Sequence, residues 1–156
     1  MSQLSIRPAQ REDIATILEL SIGGNAKGRK IVDDPTDADA PEYQRAWDQI
    51  EKDETNFYVI AELEGKPVGC MQVNILHGLA GRGKPRVQLE GVHVRADYRG
   101  QGLGSQMIQW ASEQAMNSGA RMVQLTSSKV RPEAHKFYEK LGFENSHEGF
   151  KLDLTK

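Results

Sequence analysis

The sequence predicts an α/β domain in which short strands and amphipathic helices alternate around one sheet. Three observations predict it. The chain has 156 residues, the size of one ordinary domain and hardly two. Its apolar residues recur at period two in some segments and at helical spacing in others. Glycines such as Gly65, Gly119 and Gly142 fall at the ends of those segments, where helices stop and strands turn.

Leu4–Arg7 alternates apolar and polar residues, which predicts a strand ended by Pro8. Ile14, Ile17 and Leu18 share helical spacing, so Arg11–Leu20 reads as an amphipathic helix. Ile22–Ala40 reads as a long polar loop with Gly23, Gly24, Gly28 and the acids Asp33, Asp34, Asp37 and Asp39. Pro41 suits the first turn of a second helix, to about Lys52. Phe57–Leu63 is aromatic and β-branched, Glu64–Pro67 supplies a turn, and Val68–Leu76 returns, which together predict a hairpin. His77–Arg86 is glycine-rich and basic and reads as a loop. Val87–Val94 alternates as a strand and leads into the glycine loop Arg99–Gly104. Ser105–Asn117 carries Met107, Ile108, Ala111 and Ala115 at helical intervals, with Gly119 as the stop. Met122–Thr126 reads as a strand. Pro132–Leu141 has Ala134, Phe137, Tyr138 and Leu141 at helical spacing before Gly142. Phe143–Ser146 and Phe150–Leu154 read as two last strands around Gly149.

Composition excludes several classes. With 20 basic and 22 acidic side chains the net charge is −2, which argues against general nucleic-acid binding. The single Cys70 excludes a disulfide framework within one chain. The longest apolar stretches, such as Phe57–Ala61, fall far short of a membrane span of about 20 residues. The first residues include Arg7, Glu12 and Asp13 and have no apolar leader core, so a cytoplasmic domain is expected. Charge is uneven along the chain. Residues 31–64 hold 11 acids against Arg45 and Lys52, while residues 65–104 hold 6 bases against Glu90 and Asp97. Two differently solvated faces account for this, as does a basic half for an anionic ligand beside an acidic half for a cationic one.

Arg99-Gly100-Gln101-Gly102-Leu103-Gly104-Ser105 follows a strand and opens a helix. Glycine lets the backbone approach a ligand with no Cβ in the way. The helix start adds unpaired N–H groups and partial positive charge, so the turn suits a phosphate or pyrophosphate. Arg95 and Arg99 add positive charge. A tight strand–helix turn without a ligand has the same pattern. A dinucleotide fingerprint would need glycine at Ser105 and an acid near Gln124. Gly78-x4-Gly83-Lys84 approaches a nucleotide P-loop, but Pro85 stands where a magnesium-holding hydroxyl belongs, and a strand follows.

Arg99-x-x-Gly102-x-Gly104 resembles the acyl-CoA loop of the GCN5-related N-acetyltransferase (GNAT) superfamily. Its flanks agree: Leu89-Glu90-Gly91-Val92-His93-Val94 before it, and Ala134-His135-Lys136-Phe137-Tyr138 with Leu141-Gly142-Phe143 after it. Ile6-Arg7-Pro8-Ala9 followed by a helix is also typical. The resemblance covers essentially the whole chain. It extends to a group of small bacterial members through the ending Ser146-His147-Glu148-Gly149-Phe150-Lys151. It implies a single domain over residues 1–156. The implied fold is a mixed, mostly antiparallel sheet flanked by about four helices, with a V-shaped splay between two central strands.

The resemblance implies acetyl-CoA as co-substrate, with backbone groups of Val92, His93 and Val94 along its pantetheine arm as an added strand would lie. It implies that N–H groups of Gly100, Gln101, Gly102, Leu103, Gly104 and Ser105 hold the pyrophosphate. The asparagine that members often carry seven residues before the tyrosine is Arg131 here. The implied reaction is direct attack of an amine on the thioester, since no serine elbow or cysteine–histidine motif offers a covalent route. That chemistry needs a base for the amine and an acid for the leaving thiolate. Tyr138 is the candidate acid; from periodicity alone it also fits a core position. Glu90 is the candidate base and also fits a structural pair with Arg86 or Arg95. In a regular strand it shares a face with Val92 and Val94, and His93 points the other way. His135 and His147 stay open as further candidates. No metal is expected, because no His or Cys pair has ligand spacing. The resemblance implies a small-molecule or peptide amine as acceptor; the Asp33–Asp39 loop and the first two helices would line the acceptor side and attract a cationic amine, and a solvated acidic loop accounts for the same residues. Many relatives are homodimers. A non-catalytic acyl-CoA-binding regulatory module is the alternative.

Overall fold

The computed structural model describes residues 3–24 and 30–155. The chain forms two compact units, Met1–Leu125 and Thr126–Lys156.

The first unit is built on a five-stranded sheet. Its strands are β1 (Leu4–Pro8), β2 (Asn56–Leu63), β3 (Lys66–Leu76), β4 (Arg86–Val94) and β5 (Met122–Leu125). They lie in sequence order across the sheet. The first four are antiparallel, and β5 runs parallel to β4. The β2–β3 turn uses Glu64 and Gly65, both at positive φ (51° and 76°), the backbone pattern of a tight hairpin turn.

Helices α1 (Ile14–Gly23) and α2 (Pro41–Lys52) cover one face. Ile14, Ile17, Leu20, Trp47, Ile60 and Cys70 form one buried cluster there. Helix α3 (Leu103–Asn117) covers the other face and buries Met107, Ile108, Ala111 and Ala115, as their spacing predicts. Gly69 allows close approach on that side: a Cβ there would lie 2.8 Å from the His93 carbonyl and 2.9 Å from the Met107 sulfur.

The first helix departs from its predicted bounds at both ends. Arg11–Asp13 is a short 3-10 turn, and α1 runs on to Gly23. Asp13 explains the start: it accepts the Gln10 amide at 2.7 Å and both Arg7 terminal nitrogens at 2.7 and 2.9 Å. Arg7 also donates through Nε to Glu62, so β1, β2 and the entry to α1 share one ion network. Arg11 reaches across to Asp48 of α2 at 2.7 Å.

The second unit contains α4 (Pro132–Lys140), closed by Gly142 at φ +93°. The two strands expected at Phe143–Ser146 and Phe150–Leu154 do not form. Phe150, Leu152 and Leu154 are 86–90% exposed. Their alternation prescribes a strand-like face, but a strand also needs a partner edge, and among the described residues of this unit α4 is the one regular element. Within the first unit, β5 is an edge strand of the sheet.

Candidate functional site

Strand β4 is paired on both sides only along its first half. Its register with β5 runs from Arg86↔Met122 to Leu89↔Leu125 and stops there. On the other side β3 follows β4 to Gly69↔Val94. Among the described residues, no β5 pairing continues along Glu90–Val94, so the ladder on that side of β4 ends at Leu89. Backbone N–H and C=O groups at such an edge are what an extended ligand can pair with.

A β-bulge decides which side chains meet there. Gln72 pairs with Glu90, and Cys70 pairs with His93, so two residues of β3 span three steps of β4. Gly91 absorbs the extra residue at φ +56°. Glu90 and His93 therefore share a face, which corrects the regular-strand expectation that His93 points away from Glu90. Cys70 places this face beneath α1, in the cluster with Ile14, Ile17 and Leu20. The Glu90 carboxylate is exposed and accepts the Gln88 side-chain amide at 2.7 Å. Neither Arg86 nor Arg95 pairs with it: Arg86 donates to Gln124 and Arg95 to Glu19.

The glycine loop follows directly. Arg95 N–H closes the β3–β4 ladder on Val68 O at 2.7 Å, and a short turn at Ala96–Tyr98 brings the chain round. Gly100 and Gly102 adopt φ +77° and +80°, and a Cβ at either would meet nothing within 4 Å. Gly102 is the N-cap of α3, and no side chain caps it. The first helical bond runs from Gln106 N–H to Gly102 O at 3.2 Å. The amides of Leu103, Gly104 and Ser105 precede that bond and have no intrahelical acceptor. Open space, uncapped amides and the positive end of a 15-residue helix fit a phosphate group. The Arg99 side chain turns away from the loop's amides: Nε donates to Val94 O at 3.0 Å and Nη2 to Gly23 O at 3.2 Å. Val92, His93 and Val94 are half-buried.

Sequence reasoning missed Tyr58. Tyr58, Gln72 and Glu90 lie in one register row across β2, β3 and β4. The Tyr58 phenol is pushed above its ordinary value, first by burial and then by the charges of Cys70, Glu90 and Asp33. Its ring stacks near Trp47, with centroids 6.3 Å apart. The acids of the 31–40 loop divide their work. Asp33 accepts the Tyr43 hydroxyl at 2.8 Å, whereas Asp34 caps Thr36 through its amide at 2.9 Å. A strand read by itself signals that Tyr58 faces one side of a sheet, but not that Glu90 lies across from it.

In the second unit, Tyr138 packs edge-on to Phe137 and Phe143, with centroids 5.0 and 5.7 Å away. Burial raises its phenol pKa, and the positive charge of Arg131 works in the opposite direction. The phenol is therefore protonated at neutral pH, the form a proton donor needs. His135 is hydrogen-bonded to the Ser128 carbonyl at 2.8 Å and His147 to Ser146 at 2.7 Å. Cys70 is buried and its thiol is pushed up to about 12, a setting that disfavours a nucleophilic thiolate.

The Gly78–Lys84 segment is an exposed loop between two strands. Gly81, Arg82 and Gly83 all adopt positive φ, and β4 follows, so no helix start faces this loop. Among the described residues, no three His, Cys, Asp or Glu side chains come together as a metal-ligand set. No described helix is long and apolar enough to cross a membrane.

Comparison with known proteins gives three kinds of match. Residues 27–143 match the acetyltransferase (GNAT) family. An aminoalkylphosphonate N-acetyltransferase of Salmonella typhimurium is 32% identical over 93 residues, 58% of this chain and 58% of that protein. The chain spans about half the length of the curated relatives it matches. A crystal structure described as a transcriptional regulator from Bacillus halodurans C-125 superposes with TM-score 0.85 at 36% identity, covering 97% of this chain and all of that one. The fold also matches an aminoglycoside N-acetyltransferase, AAC(6')-Iy, solved with CoA, at TM-score 0.74 and 21% identity, over the whole of this chain and 97% of that one.

Proposed function

The chain belongs to the acetyltransferase (GNAT) family, and from that premise we propose that it moves an acetyl group from acetyl-CoA to a primary amine by direct attack on the thioester. One observation carries the reading. The open edge of β4 at Glu90–Val94 leads straight into the uncapped amides of Leu103–Ser105, so one continuous stretch of backbone suits an extended arm ending in a pyrophosphate.

Each residue then has a task. The edge groups of Val92, His93 and Val94 pair with the pantetheine amides and orient the thioester. The amides of Gly100–Ser105 neutralise the pyrophosphate. Glu90, directly or through water, takes the proton that exposes the amine lone pair. The amine nitrogen bonds to the carbonyl carbon, the C–S bond breaks, Tyr138 gives its phenolic proton to the leaving thiolate, and the proton that the nitrogen sheds as it becomes an amide goes back, directly or through water, to the phenolate. The products are an amide and free CoA thiol. The row of Tyr58 and Glu90, with Asp33 acting on the same phenol, favours a positively charged acceptor. The Salmonella relative and AAC(6')-Iy bear names of small amine substrates.

A second reading has its own support. The Bacillus halodurans protein is described as a transcriptional regulator, which favours a non-catalytic acyl-CoA-binding module. Thiol release with a panel of diamines, amino sugars, aminophosphonates and peptides, beside calorimetry with acetyl-CoA, separates the two. Turnover on any acceptor supports the transferase. Tight binding without turnover on all of them supports the module, and no binding overturns both.

A further inference from the structure

Three residues of the cofactor strand and loop grip the last turn of α1. The His93 ring lies against Gly24, so close that a Cβ on Gly24 would be 2.1 Å from Nδ1. Arg95 Nη1 pairs with Glu19 at 2.7 Å. Arg99 bridges two carbonyls, Val94 O at the end of β4 and Gly23 O at the end of α1. The last carbonyls of a helix have no intrahelical donor and carry its partial negative charge, so a guanidinium there is favoured electrostatically. Its planar fork spans two acceptors, which a lysine ammonium does not do in the same geometry.

We infer that Arg99 is a positioning residue that couples the glycine loop to the C-terminal turn of α1. The inference rests on the loop being the acyl-CoA site, as proposed above. The loop's amides face the anion, while the side chain of its first residue holds α1. Filling the loop fixes Arg99 and with it Glu19–Gly24; loosening α1 loosens the loop. The coupling runs equally in both directions, as any binding linkage must.

The experiment uses the whole chain and CoA itself, so no acceptor needs to be known. Calorimetry gives CoA affinity, and hydrogen exchange read by mass spectrometry gives the protection of residues 18–24. In the unsubstituted protein CoA is expected to slow exchange there by about 5- to 150-fold, the usual range of such coupling. Arg99→Met and Arg99→Lys are expected to lose most of that protection and, by the same linkage, to bind CoA more weakly, Arg99→Lys no better than Arg99→Met. Glu19→Gln, which removes only the partner of Arg95, is expected to reduce the same protection, and it decides the matter if the Arg99 variants do not fold. Full protection in all three variants overturns the inference. So does a loss of CoA affinity in Arg99→Met that Arg99→Lys restores, since Arg99 would then be a phosphate ligand. Binding to the unsubstituted protein without protection of α1 overturns the inference alone, and absence of binding overturns the transferase reading with it.

Discussion

Asp13 accepts both terminal nitrogens of Arg7 and the amide of Gln10, so one carboxylate joins β1 to the turn that starts α1. The Arg7 guanidinium beside it, helped by the Gln10 amide, holds its carboxyl below the ordinary value of 3.8. The stabilisation is therefore complete above that ordinary value and is lost as pH falls through the lower folded one. Asp13→Asn is expected to cost about 2 kcal/mol at pH 7 and much less in strong acid. Urea midpoints at both pH values check this, and an equal loss at both contradicts it. Gly102 sits at φ +80° with open space beyond its missing Cβ. Gly102→Val strains the backbone by about 1–2 kcal/mol and fills the face proposed for the pyrophosphate. Calorimetry is expected to show acetyl-CoA affinity reduced by about tenfold or more. Tyr138→Phe removes a half-buried phenol that is protonated at neutral pH. Turnover is expected to fall by about 10²–10⁴-fold while acetyl-CoA binding changes little; unchanged turnover removes Tyr138 from the acid's role. Gly102 and Tyr138 were legible because their residue types sit in a recognisable local pattern. Tyr58 was not, because its link to Glu90 runs across three strands.

At the scale of elements, the periods and stop signals of the sequence located the four α-helices and five strands of the described residues. They misjudged what depends on a partner. The first helix runs past Leu20 to Gly23, where its last carbonyl meets Arg99. Strand β4 shows the clearest gap between pattern and structure. Its alternation predicts opposite faces for Glu90 and His93, and the bulge at Gly91 puts them on one. Gly91 pays no steric penalty at φ +56°. Gly91→Val is expected to destabilise the chain by about 1–2 kcal/mol. It is also expected to lower turnover beyond what stability explains, because the strand is pressed back toward a regular register. Denaturant titration and steady-state rates on folded protein check the two parts; an unchanged rate would separate the bulge from the chemistry. The tail at Phe143–Leu154 failed as a strand for the same kind of reason, since alternation specifies a face but supplies no edge to pair with.

For the whole molecule, the family and the site of cofactor binding make one prediction that needs no acceptor. A ligand that binds only the folded chain stabilises it in proportion to the logarithm of its saturation. Acetyl-CoA at about a hundred times its Kd is expected to add about 2.7 kcal/mol. For a chain of this size that raises Tm by roughly 5–10 °C. Scanning calorimetry with and without acetyl-CoA checks this, and ATP with magnesium serves as the contrast; a rise with ATP alone contradicts the assignment. By itself, the sequence determined the helices and the sheet strands to within a few residues, the glycine loop with its uncapped helix start, and the family, while prescribing two strands after Gly142 that do not form. These rest on residue periods and short motifs, which act within a few turns of chain. Only the tertiary structure decided that the β4–β5 register ends at Leu89, that Glu90 and His93 share a face with Tyr58, and that Arg99 reaches α1. Those facts depend on register between distant strands and on one extra residue at Gly91, and a side-chain period of two turns a one-residue shift into a change of face.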